Sequence, residues 1–342
     1  MAKPVCVAVS VFVGLFCNVG ECTVKKGLGM APALFTCTDL PKLTGISWWY
    51  DWGANGDKQR RLNNCTDYDA YIDMHVPMSW GNGSTFPNYI VLPQAKYFLG
   101  FNEPNHQAQS NLTSRQAAEL WPQVEAVATT DRKLVSPAAA PCGKNCQGDN
   151  VTAWFSDFFK FCDGCRVDYL ATHVYYCDPD RVMNYLSGLY EDFNLLIWVT
   201  EFACPAETDP AIVLEFMKAI LPRLEEAPYI FRYAWYISRL ENTWMFVKPA
   251  VSLFESGSPE FTPLGEYYNN FGETTTTTAS TTTTTASTTT TTASTTTTVT
   301  TASASTKETT SKPSSPAVRM QESVPLLMWC SIVLLCSRDS WY

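Results

Sequence analysis

Two glutamates in this chain sit on short β-forming runs: Glu103 in Gly100-Phe101-Asn102-Glu103-Pro104-Asn105, and Glu201 in Trp198-Val199-Thr200-Glu201-Phe202. A carboxyl group at the end of an apolar strand is held in place, and two of them can divide labour. One stays protonated and assists a leaving oxygen; the other is ionised and attacks carbon or activates water. Cleavage of a bond between two sugars requires such a pair, roughly 5 to 5.5 Å apart for retention of configuration and roughly 6.5 to 9.5 Å apart for inversion. The remaining sequence has to supply a frame that brings the two together.

The ends of the 342-residue chain do not contribute to that frame. Residues 1–22 carry one early cation, Lys3, an apolar run from Val5 to Phe16 and small residues near Gly20, the pattern of a secretory signal peptide. Residues 274–316 are Thr/Ser-rich, with Thr-Thr-Thr-Thr-Thr-Ala-Ser beginning at 274, 281 and 288. Such a segment has too little apolar surface to offset chain entropy and is expected to be a disordered stalk, O-glycosylated or bare. Residues 317–342 contain an apolar run from Val324 to Cys336, short for a membrane-spanning helix. Small residues and a polar spacer before it fit a GPI-attachment signal, while the polar ending Ser337 to Tyr342 leaves a membrane anchor open. One domain remains, residues 23–273, of the size expected for a barrel.

An exported chain forms disulfides and carries N-glycans. Sequons at Asn64, Asn82, Asn111 and Asn150 are expected on surface loops. Of 13 cysteines, Cys6, Cys17, Cys330 and Cys336 fall in the end segments, and nine lie from Cys22 to Cys204. Cys142-x3-Cys146 with Cys162-x2-Cys165 could be read as a zinc site, but an oxidising compartment favours bridges. No metal and no cofactor are expected. A bridge between Cys177 and Cys204 would brace the loop after Glu201. The net charge of -9, with three His, argues against a nucleic-acid partner.

Eight strand-like runs recur in the core: 26–30, 45–50, 72–78, 97–101, 134–138, 167–175, 196–202 and 230–236. Helix patterns lie between several of them. Thr113 or Ser114 can cap a helix through Ala117, Leu120, Val124 and Val127; Val182, Tyr185, Leu189 and Phe193 have similar spacing; Asp209-Pro210 supplies an N-cap and a first-turn proline. Alternating strands and helices imply parallel strands with right-handed crossovers, and eight of them imply a compact (β/α)8 TIM barrel. An open doubly wound sheet is the alternative, but no Gly-x-Gly-x-x-Gly follows the first run. In a barrel, catalytic groups belong at the C-terminal strand ends. Glu103 follows the fourth predicted strand and Glu201 ends the seventh.

The blocks Gly-Ile-Ser-Trp-Trp-Tyr-Asp-Trp-Gly from Gly45, Val-Pro-Met-Ser-Trp-Gly from Val76 and Leu-Gly-Phe-Asn-Glu-Pro-Asn from Leu99 occur in that order. They are followed by Val-Asp-Tyr-Leu-Ala-Thr-His-Val-Tyr from Val167, Trp-Val-Thr-Glu-Phe-Ala from Trp198 and Arg-Tyr-Ala-Trp-Tyr from Arg232. Across nearly the whole core this resembles glycoside hydrolase family 128, a family of retaining barrel glycosidases. The resemblance implies a β-1,3-glucanase with Glu103 as acid/base and Glu201 as nucleophile. One block departs from it: His173-Val174-Tyr175 stands where the family pattern is His-Trp-Tyr.

Within that reading an apolar wall and the second carboxylate are expected to raise the proton affinity of Glu103. Asn102 can offer its amide to the sugar 2-hydroxyl. His173 and Tyr175, two apart on a strand, share a face, so Tyr175 can orient Glu201 while His173 binds sugar. Among the aromatic residues at strand ends, Trp48, Trp49, Trp80, Tyr233 and Trp235 are candidate sugar platforms, with Trp235 and one of Trp48 or Trp49 favoured. The expectation is an extracellular or surface-tethered monomer that cuts β-glucan endo-wise and touches a membrane only through its tail or lipid anchor. A noncatalytic glucan-binding wall protein, another glycanase and a transglycosylase are the alternatives.

Overall fold

Seven parallel strands form one curled sheet: β1 (Lys26–Gly29), β2 (Trp48–Tyr50), β3 (Tyr97–Leu99), β4 (Lys133–Ala138), β5 (Tyr169–Val174), β6 (Ile197–Phe202) and β7 (Ile230–Trp235). Their order is β2-β1-β7-β6-β5-β4-β3. The computed structural model describes residues 24–272, apart from 67, 84–85, 129–130 and 148–149. The signal segment, the Thr-rich stalk and the hydrophobic tail lie outside the described residues. Among the described residues no helix is long and apolar enough to cross a membrane.

Helices cover the outer face of the sheet, including α4 (Ser114–Glu125), α5 (Val151–Phe161), α6 (Pro179–Phe193), α7 (Pro210–Glu226) and α8 (Pro263–Asn270), after the short α1 (Asp39–Lys42), α2 (Lys58–Asn63) and α3 (Asp69–Ile72). The caps follow the sequence: Thr113 forms a capping box with Gln116, Asp178 and Asp209 cap α6 and α7, and proline opens each of the latter two. Each cap satisfies backbone N–H groups that have no partner inside the helix.

The run predicted as a strand over 72–78 is not one. Residue 72 ends α3, and the following segment makes one isolated bridge to each edge of the sheet, His75 to Trp49 of β2 and Met78 to Leu99 of β3. Val76 N–H donates to the Trp49 carbonyl at 2.9 Å, and Leu99 N–H donates to the Pro77 carbonyl at 2.9 Å. Pro77 has no N–H to extend either ladder, so pairing switches from one edge to the other at that residue. Residues 74–79 thereby join the two edges.

Alternation divides the aromatic residues between two cores. Trp48, Tyr50, Leu99, Val135, Ala171, Trp198 and Ala234 pack together on the inner face, whereas Trp49, Phe98, Leu134, Leu170, Val199, Tyr233 and Trp235 pack outward against the helices. The Trp48 indole fits because residue 27 is glycine, where a Cβ would lie 2.2 Å from the ring. At that end Arg232 lies over the rings of Tyr97 and Trp198, 4.8 and 5.1 Å from their centroids, and plugs the inner core with stacked cation and aromatic surface.

Among the described residues four disulfides join Cys37 to Cys65, Cys142 to Cys146, Cys162 to Cys165 and Cys177 to Cys204. Both closely spaced pairs are therefore bridges, and the last bond ties the loop after β5 to the residue just past β6. The four sequon asparagines are exposed.

Lys26 closes the barrel to its last helix. Its buried ammonium donates to the carbonyls of Tyr268 at 2.8 Å, Asn269 at 3.2 Å and Phe271, at the C-terminal end of α8, where orphan carbonyls favour a cation. Lys26→Met should lower the unfolding free energy by about 3 kcal/mol, because several buried acceptors lose their donor together. Urea unfolding followed by tryptophan fluorescence measures it; a change below about 0.5 kcal/mol would show that these carbonyls find other donors.

Candidate active site

Glu103 reaches the centre of the C-terminal face through two breaks in strand geometry. Leu99 packs inward, yet Phe101, two residues later, packs outward with its ring 6.1 Å from that of Trp121. The slip falls at Gly100, where a Cβ would lie 2.7 Å from the backbone of Ser136 and Pro137. Only glycine allows the chain that close to β4. Glu103 itself has φ +37°, in the left-handed region, so its direction is not the one a continuing strand would give.

Glu201 depends on a bulge. On β5 and β6, Thr172 pairs with Val199 but His173 pairs with Glu201, leaving Thr200 as an extra residue. Trp198 faces inward and Phe202 outward, so the parity changes across that residue. The change places Glu201 beside His173.

The two carboxylates meet at that histidine. One oxygen from each glutamate and a ring nitrogen of His173 all lie within 4.8 Å of one another. His173 Nδ1 is 2.8 Å from Glu103 Oε1 and 3.4 Å from Glu201 Oε2. His106 Nδ1 lies 3.5 Å from the other Glu103 oxygen, with its Nε2 3.2 Å from the Ala140 carbonyl oxygen. Glu201 is held from both sides: Trp52 Nε1 donates to Oε1 at 2.7 Å and the Tyr175 hydroxyl donates to Oε2. Beneath it, the Tyr50 hydroxyl donates to the Thr200 carbonyl at 2.9 Å. Three such groups could each give one ligand to a metal ion, but donors already occupy both Glu201 oxygens. That arrangement fits a carboxylate held for attack better than a cation site.

The electrostatics correct the expectation for Glu103. Burial favours its protonated form, but the hydrogen bond and charge of His173, with the charge of His106, outweigh burial and hold the carboxyl below the usual range. Glu201 is pushed up by burial; His173 opposes this, the Glu103 charge adds to it, and Tyr175 and Trp52 oppose it. Burial alone would strip the proton from His173, yet the Glu201 and Glu103 charges hold it above the ordinary imidazole range. Both directions, Glu103 down and His173 up, favour a proton on His173, between the two carboxylates. Burial and the Glu201 charge raise the Tyr175 hydroxyl well above its ordinary value, so it remains a donor.

The structure brings together Glu103, Glu201, Asn102, His173 and Tyr175. His173 is wholly buried, so its place is between the glutamates and not against a sugar. The platform expectation is corrected at four positions. Trp48 fills the inner core, while Trp49, Tyr233 and Trp235 are buried against the helices, with the Trp235 indole N–H donating to the Val251 carbonyl at 2.8 Å. Alternation sends them there. Trp80, 41% exposed, keeps an open face beside the Asn102 backbone, whose N–H its carbonyl accepts at 2.9 Å.

Trp52 and Tyr236 both lie within the aromatic blocks, Trp52 among the strand-end aromatic residues, but the sequence does not single out either as a site residue. Trp52 turns over the cleft because its φ is +58°, and the Tyr236 ring, one residue past Trp235, lies 5.7 Å from the rings of both Trp52 and Tyr175.

Residues 35–268 match the family model for the glycosyl hydrolase catalytic core. Among solved structures, the chain is similar to a family 128 subgroup II endo-β-1,3-glucanase from Sorangium cellulosum, at 35% identity and a TM-score of 0.63, covering 72% of this chain and 97% of that one. It is also similar to a subgroup V exo-β-1,3-glucanase from Cryptococcus neoformans, at 27% identity and a TM-score of 0.61, covering 71% and 97%. Alkali-sensitive linkage protein 1 of Schizosaccharomyces pombe is 26% identical over 227 residues, or 64% of this chain. The chain spans 39% of the length of that curated relative.

Tyr175→Phe or Trp52→Phe removes a donor that stabilises ionised Glu201, so its proton affinity rises. The acid limb of the kcat/KM profile should move to higher pH, and activity at neutral pH should fall about tenfold or more; an unmoved limb would detach these donors from Glu201. Trp235→Ala should cost about 3 to 5 kcal/mol of stability through cavity formation. Trp80→Ala should leave the melting temperature nearly unchanged and raise KM, and the reverse pattern would return Trp235 to the cleft.

Proposed function

The chain is a glycoside hydrolase of family 128, and from that premise we propose that it cleaves β-1,3-glucan with retention, Glu201 acting as nucleophile and Glu103 as acid and then base. The observation that carries the retaining reading is the close approach of the two carboxylates, with oxygens within 4.8 Å. That approach falls on the retaining side, short of the roughly 6.5 to 9.5 Å separation that inverting pairs use to seat a water.

The steps use this chain's own groups. His173 Nδ1 passes its proton to Glu103 Oε1 across 2.8 Å, which leaves a neutral imidazole and a protonated acid. Glu201, held by Trp52 and Tyr175, attacks the anomeric carbon as Glu103 protonates the leaving glycosidic oxygen. The glycosidic bond breaks and a covalent glycosyl ester forms on Glu201. Glu103, now ionised, takes a proton from water, whose oxygen attacks the same carbon and frees Glu201.

Endo action is part of the proposal, supported by the Sorangium cellulosum enzyme at 35% identity. We assign the catalytic unit to residues 23–273 and place the protein outside the cell, tethered through its C-terminal tail. Four disulfides and four exposed sequon asparagines support export.

The test is hydrolysis of β-1,3-, mixed-linkage and β-1,4-glucans by the purified chain beside Glu103→Gln and Glu201→Gln. β-1,3-glucan should be cut internally with the β-anomer appearing first by NMR, and each variant should lose at least about a thousandfold in rate. First appearance of the α-anomer would end the retaining mechanism, and wild type as inert as Glu201→Gln on every glucan would end the glucanase reading.

A further inference from the structure

Asn102, buried beside Glu103, is only half satisfied. Its Nδ2 donates to Gln109 Oε1 at 3.2 Å, whereas its Oδ1 is buried with no hydrogen-bond partner. An unpaired buried acceptor carries an uncompensated desolvation cost, which a hydroxyl donated by a bound ligand would recover. A carboxamide has two nearly equivalent orientations about its last torsion, and they exchange donor for acceptor. Gln109 Oε1 can only accept, so it selects the orientation that turns Asn102 nitrogen toward itself and leaves the oxygen free.

Gln109 is oriented in turn. Its Nε2 lies 3.9 Å from Met245 Sδ, a weak acceptor, at the tip of a turn closed by reciprocal backbone bonds between Trp244 and Val247 of 3.0 and 2.8 Å. Met245 has φ +53°, a left-handed conformation that is strained for a methionine. The next residue, Phe246, packs edge-on to the Tyr175 ring at 5.4 Å, and Tyr175 is the donor on Glu201. The turn therefore leans at one point on the residue that holds Asn102 and at another on the residue that holds Glu201.

We infer that Gln109 is a positioning residue, braced by Met245, that fixes the Asn102 carboxamide with its free oxygen as acceptor for the 2-hydroxyl of the glucosyl ring being cleaved. The inference rests on the β-glucan reading above. It assigns Gln109 no contact with substrate and no proton transfer.

Gln109→Ala, Gln109→Glu and Met245→Gly are compared with wild type in the full chain on 2,4-dinitrophenyl β-laminaribioside and on its analogue lacking the 2-hydroxyl of the ring that carries the leaving group. On the parent glycoside Gln109→Ala should lower kcat/KM about tenfold, mainly through kcat. On the deoxy analogue, where nothing remains to be oriented, it should change the rate less than about twofold. Gln109→Glu keeps an acceptor oxygen and should restore most of the loss. Met245→Gly, which relaxes the backbone and releases Gln109, should show a smaller loss confined to the parent glycoside. Equal losses on both glycosides, or no loss on either, would overturn the inference while leaving the glucanase reading intact. Wild type that turns over neither glycoside would remove the substrate reading itself.

Discussion

Three ionisable side chains, Glu103, His173 and Glu201, are buried within contact of one another, and the surrounding structure exists on the condition that this burial is compensated. A buried charge that loses its partner costs roughly 3 to 5 kcal/mol, so none of the three is tolerable alone. Compensation comes from His173, which touches both carboxylates, and from Trp52 and Tyr175, which each donate to a different oxygen of Glu201. These donors need the irregular backbone found around them: the left-handed φ of Trp52 and Glu103, and the bulge at Thr200. Local strain and non-ideal pairing are concentrated where polar groups must converge.

The opposite end of the sheet is built on other terms. Trp48, Tyr97, Trp198 and Phe231 crowd around Arg232, and Lys26 anchors α8 through its carbonyls. Large aromatic residues there fill the inner core and exclude water. The chain's tryptophan content thus serves two needs, core volume at one end and hydrogen-bonded or open faces such as Trp52 and Trp80 at the other. This division agrees with the general separation of stability from chemistry between the two faces of barrel-like sheets.

Much of this was legible from residue order. The strand-end rule picked out Glu103 and Glu201, and the period of two put His173 and Tyr175 on one face. The same period separated Trp48 from Trp49, but periodicity does not say which face is inner and which is covered by helices; here neither ring reaches the cleft. Tyr233 and Trp235 were misjudged for that reason, since both share the outer parity of β7. The breaks in parity at Gly100 and Thr200 have no periodic signal because they arise from approach to the neighbouring strand. Pro77 did carry a signal, the loss of a ladder donor, and it explains why the run over 72–78 bridges two edges without forming a strand. The upward shift of His173 was not legible, because it depends on distances between residues on β5, β6 and the loop after β3.

His173 also ties the proposed chemistry to the fold. An imidazole nitrogen can touch both carboxylates only if they stand close together, and the spacing that permits the bridge is also the one the proposed retaining course uses. Widening the cleft enough for inversion would take His173 from one glutamate and leave that charge buried without its cation. The pairing of Thr172 with Val199 and of His173 with Glu201, one residue out of step, is what keeps the spacing short. A bulge of one residue in β6 therefore sets the distance on which both the shared contact with His173 and the proposed retaining course depend.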